Sequence, residues 1–308
     1  MINRLLIRIK TAQLVYAYMQ GSIDKLNSDE QMAQSFESSY QLYNFLLALI
    51  PAITDYRKTQ LETARNKFMP TQEERFPNTR FADCRIARAI AEKSEVPDYC
   101  EKHGLLSDFD TDLYRNLLAE IEELPSYKTF MTQRDAPTLQ DEKALWRDIF
   151  ASVITRNAML DLALENRNIY WNDDLSTVTQ FVVKAINQID PEKEEQHLSP
   201  KVFDRKEDNQ FAHDLYHFAL DHAHEYLQLI DQNADNWQVE RMALMDKVVM
   251  ICALAEIRNF PDIPVRISMN EYIELAKYYC APDSARFVNG IVDKIVKQWK
   301  RDGIIFKA

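Results

Sequence analysis

The sequence predicts an all-α fold, and three observations carry that prediction. Only 4 glycines and 11 prolines occur in 308 residues, while Leu, Ala, Glu, Lys and Gln are plentiful, a balance that favours helices over turn-rich sheet. Apolar residues recur at spacings of three and four, as in Leu5, Ile9, Ala12, Tyr16 and Met19, the signature of one buried helical face. Hydrophobic residues make up 46% of the chain, enough for a globular core and against global disorder. No apolar run reaches membrane length and no secretory leader opens the chain, so a soluble, cytoplasmic protein without a membrane partner is expected. Cys84, Cys100, Cys252 and Cys280 form no CxxC pair and read as small buried hydrophobes in a reducing compartment.

Taken in order, the pattern predicts a helix over 2–20, ended at Gly21, then a polar linker over 21–30. A long helical stretch follows over 32–67, interrupted at Pro51. Pro70 to Arg80 is a loop by its prolines and polarity. Shorter helices are expected over 81–93, 109–124 and 126–133, punctuated by Pro97, Pro125 and Pro137, and longer ones over 139–168 and 175–189. The charged stretch Asp190 to Asp208 is the best candidate boundary. Beyond it, 211–230 reads as one helix with Phe211, Leu215, Phe218 and His222 on one side, which makes His222 a hydrogen-bonded core histidine. Asn236-Trp237 starts the next helix, 239–259. Its segment Val248–Ala255 carries no charge and should be the buried centre of a bundle.

The last hundred residues supply the densest local signals. Pro261 and Pro264 end the central helix. Ser268 with Glu271 three residues on reads as a capping box, and Met269, Tyr272, Ile273, Ala276 and Tyr279 form the stripe of the helix it opens. Ala281-Pro282-Asp283-Ser284 breaks that helix and caps another, whose face carries Phe287, Ile291 and Ile295. Gly290 inside this last helix should cost ~1 kcal/mol against Ala, which suggests that another backbone passes close by.

The formal net charge is −11, which at first argues against a nucleic-acid partner. Its distribution matters more than its sum. Residues 1–20 carry +3 from Arg4, Arg8 and Lys10, residues 286–308 carry +4, and the middle holds −18. Both ends are basic.

Catalytic signatures are missing from the sequence. Four scattered glycines leave no phosphate-cradling loop, there is no G-x-S-x-G or HExxH, and the many carboxylates read as solvated helix faces. His213, His217 and His224 fall on one helical sector, and a pair at i and i+4 can share zinc. No cysteine or carboxylate is placed by motif to complete such a site, so a solvated polar face is the reading, with no metal, no cofactor and no enzymatic activity expected.

The stretch PDIPVRISMNEYIELAKYYCAPDSARFVNGIVDKI resembles the signature of the NusB family of transcription antitermination factors, in which N-E-x-I-E-L-A-K is followed by D-S-x-x-F-V-N-G. The first helix is similar to the family's Arg-rich opening, although Leu5 and Leu6 stand where many members have further arginines. The central helix is similar too, with Glu256 matching and Ile251 replacing the usual arginine. The resemblance implies a NusB-like helical bundle core made by 1–20 and 208–308, with residues 21–207 as a helical insertion. It implies binding of boxA-like single-stranded RNA together with NusE, a ribosomal protein, and loading onto RNA polymerase to suppress termination in rRNA operons. Carried over position by position, it makes Arg4, Arg8, Lys10, Lys247, Asp283, Ser284, Arg286 and Phe287 candidate RNA contacts. Tyr16 and Asp246 become candidate partner contacts. Asp283 reads equally as a helix cap, and Phe287 as core or as a stacking surface for an unpaired base. The alternative is a helical protein–protein scaffold that kept the fold and has weak or no RNA affinity, a reading that the two leucines and the overall acidity favour.

Overall fold

A computed structural model of the protein describes residues 4–22, 28–107, 109–198, 206–234 and 242–307. Among these residues there are fifteen α-helices and no strand; the single extended pairing is an isolated bridge between Ser94 and Gln196. In chain order the helices are α1 (Arg4–Met19), α2 (Ser28–Arg65), α3 (Gln72–Arg75), α4 (Arg85–Lys93), α5 (Val96–Lys102), α6 (Thr111–Glu123), α7 (Pro125–Thr132) and α8 (Leu139–Ile149). They continue with α9 (Ala158–Arg167), α10 (Ile169–Gln188), α11 (Lys206–Asp221), α12 (Ala223–Asn233), α13 (Leu244–Asn259), α14 (Val265–Tyr279) and α15 (Ser284–Arg301). The chain divides into two compact units, one of Glu37–Val202 and one joining Ile2–Phe36 to Phe203–Ala308.

The first unit is built on α2. Pro51 sits inside this 38-residue helix without ending it, contrary to the interruption expected from sequence. An interior proline costs about 3 kcal/mol. Against that cost, Leu42, Phe45, Leu46, Leu47, Leu49, Ile50 and Ile53 are all fully buried, each side chain contributing about 1.5–3 kcal/mol. Burial wins. Phe45 stacks on Phe109 at 4.5 Å and on Trp171 at 5.5 Å, and the Trp171 indole donates to the Ser38 carbonyl at 3.0 Å.

The expected helix over 139–168 is in fact two. After α8 the chain widens into a π-helical turn, Phe150–Ile154, and Asn157 then caps α9 by accepting from the Leu160 amide at 2.8 Å. The Pro97 stretch, read as punctuation, starts α5, because proline suits the first turn of a helix. Within the loop Pro70 to Arg80, Thr71 and Glu74 form a capping box that opens the short α3. The start of α4 has no cap of its own. The buried carboxylate of Glu142, from α8, supplies it by accepting from the Arg85 and Ile86 amides at 2.9 and 3.2 Å. Burial, reinforced by this neighbouring charge, pushes the Cys84 thiol up to about 12.

In the second unit α13 is the axis. Every residue from Val248 to Ile257 is buried, as the uncharged run predicts, and α1, α11, α12, α14 and α15 pack around it. The single helix expected over 211–230 breaks at His222, which ends between α11 and α12. There it is half-exposed and bonds to Glu225 Oε2 at 3.0 Å, so it is not a core histidine. The expected start at Asn236-Trp237 lies outside the described residues.

Two further expectations about this unit are corrected. Ser268 and Glu271 do not cap α14, which begins three residues earlier at Val265; both side chains turn inward toward other helices. Gly290 is exposed, and a Cβ added there would meet nothing within 4 Å. Among the described residues, no other backbone comes within 4 Å of that position. Gly290→Ala should therefore stabilise the protein by about 1 kcal/mol, the helix-propensity difference alone; a lowered melting temperature would show that the glycine serves a purpose the packing does not reveal.

Candidate nucleic-acid interface

The residues singled out from sequence fall on α1, on the start of α13, and on the turn between α14 and α15, all within the second unit. The structure separates them into buried anchors and exposed groups.

Arg8 is the clearest anchor. It is 3% exposed, and its guanidinium grips Glu256 with two bonds of 2.8 Å, Nε to Oε2 and Nη2 to Oε1. A third bond of 3.2 Å reaches Glu271 of α14. Ser268 Oγ donates to Glu256 Oε1 at 2.7 Å, and the Tyr272 hydroxyl to Oε2 at 3.2 Å. Four donors thus converge on one carboxylate that has no solvent exposure. Burial works to lower the guanidinium's pKa, but the bond to Glu256 and its charge outweigh it and hold Arg8 above the usual arginine value. Burial and the same carboxylate raise Tyr272 well above the tyrosine range. Arg8 is therefore not a solvent-facing phosphate contact; it ties α1 to α13 and α14. Lys10 is also fully buried and offers no cation to solvent.

Arg4 differs. Its side chain is 47% exposed and lies 3.5 Å from Asp208, with the guanidinium over the Phe211 ring at 5.0 Å. Of the three cations at the start of the chain, Arg4 alone is placed to meet a solvent-borne anion.

Around the α14–α15 turn the pattern repeats. Asp246 is buried and accepts from the buried Ser284 hydroxyl at 3.1 Å, so these two side chains lock α15 onto α13 and do not face outward. Burial, together with Asp246 nearby, pushes the Cys280 thiol up to about 12. Asp283 stands at the N-cap position of α15 without a side-chain cap bond. Asp283 and Arg286 are exposed, Phe287 and Lys247 half-buried. Further along α15, Lys300 and Arg301 are exposed as well. Tyr16 is half-buried and its hydroxyl accepts from Gln20 at 2.8 Å.

Around the α14–α15 turn the surface offers one exposed cation, Arg286, near the exposed Asp283 and the half-buried Phe287. Arg286 and Phe287 sit in the first turn of α15, at the positive end of the helix dipole, and Phe287 is half-buried. The residue that sequence reasoning did not weigh as an anchor is Glu256, the sole acid of the buried run. A lone acid at the end of an uncharged run was the available signal that a cation must come to meet it.

A family model described as the NusB family matches residues 174–297, which runs from within α10 through α11 to α14 and into most of α15. The C-terminal region is a NusB-family domain. Proteins named transcription antitermination protein NusB are similar to it. The one from Dictyoglomus thermophilum is 40% identical over 90 residues, 29% of this chain and 62% of the relative. The one from Koribacter versatilis is 36% identical over 88 residues, 29% and 60% of the two chains. The one from Salinibacter ruber is 37% identical over 98 residues, 32% and 61%. The matches thus span about three fifths of these NusB proteins. No solved structure matches the chain. Among the described residues, no helix is long and apolar enough to cross a membrane.

Proposed function

We propose that this protein is a transcription antitermination factor of the NusB type, without catalytic activity, that binds single-stranded RNA through the α14–α15 turn. The observation that supports this most is the turn itself. The D-S-x-x-F segment that resembles the family signature puts Arg286 in solvent and leaves Phe287 half-exposed, while Ser284 and Asp246 hold the turn in place from beneath. A cation beside a partly open aromatic ring is the usual equipment for reading unpaired bases. On this reading the RNA is boxA-like, NusE binds beside it near Tyr16 and the edge of α13, and the complex joins RNA polymerase in the cytoplasm. Asp246 and Ser284 then act as positioning residues, and Arg4, Lys247 and the end of α15 supply charge. The unit Glu37–Val202 belongs to this factor as an accessory helical body.

The test is a titration of boxA-type RNA with the full chain, with and without NusE, at several salt concentrations. Saturable binding that tightens with NusE and weakens as salt rises is expected. No binding under either condition would overturn the reading. A second reading, a helical scaffold with little RNA affinity, is favoured by the burial of Arg8 and Lys10, which removes two cations from the expected basic patch. It predicts NusE binding that RNA does not influence.

A further inference from the structure

The structure brings together three side chains that the sequence leaves far apart. His213 and His217 lie one turn apart on α11, with ring centroids 4.2 Å apart. Asp29, in the first turn of α2, faces both. Nε2 of His217 is 2.8 Å from Asp29 Oδ1, and Nε2 of His213 is 3.9 Å from the same oxygen. One ligand atom from each residue lies within 4.8 Å of the other two.

We propose that Asp29, His213 and His217 form a binding site for a divalent transition-metal ion of the zinc class. A hydrogen bond would account for one imidazole on the carboxylate oxygen. The second imidazole nitrogen, 3.9 Å from the same oxygen, is too far for a hydrogen bond and close enough to share a cation with it. Zinc bonds of ~2.0–2.2 Å at tetrahedral angles set neighbouring ligand atoms roughly 3.3–3.5 Å apart. The distances of 2.8 and 3.9 Å bracket that value, so small rotations of these surface side chains bring both imidazole nitrogens to ligand spacing from the carboxylate oxygen. Two nitrogens and one oxygen favour zinc, cobalt, nickel or copper over magnesium and calcium.

A supporting shell is present too. The other ring nitrogen of His213, Nδ1, is 3.4 Å from Asp214 Oδ1, and that oxygen accepts from Gln210 Nε2 at 2.7 Å. A carboxylate behind a ligating imidazole fixes the ring and raises its basicity. The side chains are 62%, 48% and 25% exposed for Asp29, His213 and His217, which leaves room for water to complete the coordination. His224, on the same sector by sequence, lies beyond the His222 break on α12 and pairs with Gln228 instead. The ion would pin the first turn of α2 to α11, and since it binds the folded chain it would stabilise that junction.

The experiment is calorimetric titration of the full chain with zinc chloride, followed by melting curves with zinc and then with a chelator added. One ion per chain and a chelator-reversible rise in melting temperature are expected. The double variant His213→Gln, His217→Gln should lose the binding, Asp29→Asn should weaken it by roughly 10-fold or more, and His224→Gln should leave it unchanged. All these positions are at the surface, so circular dichroism of each variant can confirm an intact fold. Cobalt in place of zinc gives a second readout, visible absorption bands in the wild type that vanish in the double variant. Absence of saturable zinc binding, or binding that survives the double substitution, would overturn the proposal.

Discussion

Arg8→Ala should destabilise the unit built around α13 by about 3–5 kcal/mol, because removing one partner of a buried pair strands the other charge in a low-dielectric interior. Glu256 has no solvent exposure, so water cannot replace the two 2.8 Å bonds it would lose. Ser268 and Tyr272 still donate to it, and their hydroxyls offset only part of the loss. Arg8→Glu should be worse, since it would set a second carboxylate beside the first. Replacing both partners by methionine removes the stranded charge and should recover part of the stability, leaving the two hydroxyls short of an acceptor. Hydrogen exchange of the α13 amides reads this unit by itself and avoids assuming that both units unfold together. A change below about 1 kcal/mol for Arg8→Ala would mean that the pair behaves as a surface pair does and that α1 is held by its apolar face alone.

The second large effect concerns RNA. Phe287→Ala should weaken binding of single-stranded RNA by about 1–3 kcal/mol, the worth of one stacked base, which is roughly 5- to 150-fold in affinity. Arg286→Glu has a different signature: it should flatten the log–log salt dependence by about one unit, as expected for one lost phosphate contact. The two substitutions separate stacking from charge because the first leaves net charge unchanged and the second leaves the ring in place. Phe287 is half-buried and Arg286 exposed, so Arg286→Glu should keep the wild-type melting temperature while Phe287→Ala lowers it modestly. If neither alters RNA affinity while NusE binding persists, the scaffold reading replaces the RNA-binding one.

Most of the helices, and the resemblance of the C-terminal ones to the NusB family, are legible in the sequence. Local periodicity states which face of a segment is apolar, and a run without charge such as Val248–Ala255 can only be buried. The interruptions are less legible. Pro51 stays within α2 because a fully buried apolar run outweighs its cost, whereas the chain breaks at Asn157 and His222 although the apolar pattern runs on through both. In each case the outcome depends on what the neighbouring helices bury, which no window of the sequence contains.

The candidate sites divide along the same line. By itself the sequence determined the helical class, the uncharged centre of α13, and the turn that carries Asp283, Arg286 and Phe287. Only the tertiary structure decided which charges face water. Arg4 and Arg8 are one turn apart on the same helix, yet one is half-exposed and the other buried, because Glu256 comes to meet Arg8 from 248 residues away. Likewise Ser268 and Glu271 have the spacing of a cap and serve as parts of a buried network. Asp29 meets His213 and His217 across a separation of more than 180 residues, as the 188 between Asp29 and His217 shows. Periodicity tells a side chain's direction from its own helix axis. The partner that awaits it there is set by how helices distant in sequence pack, and for a charged group that partner decides whether it becomes an anchor or a binding surface.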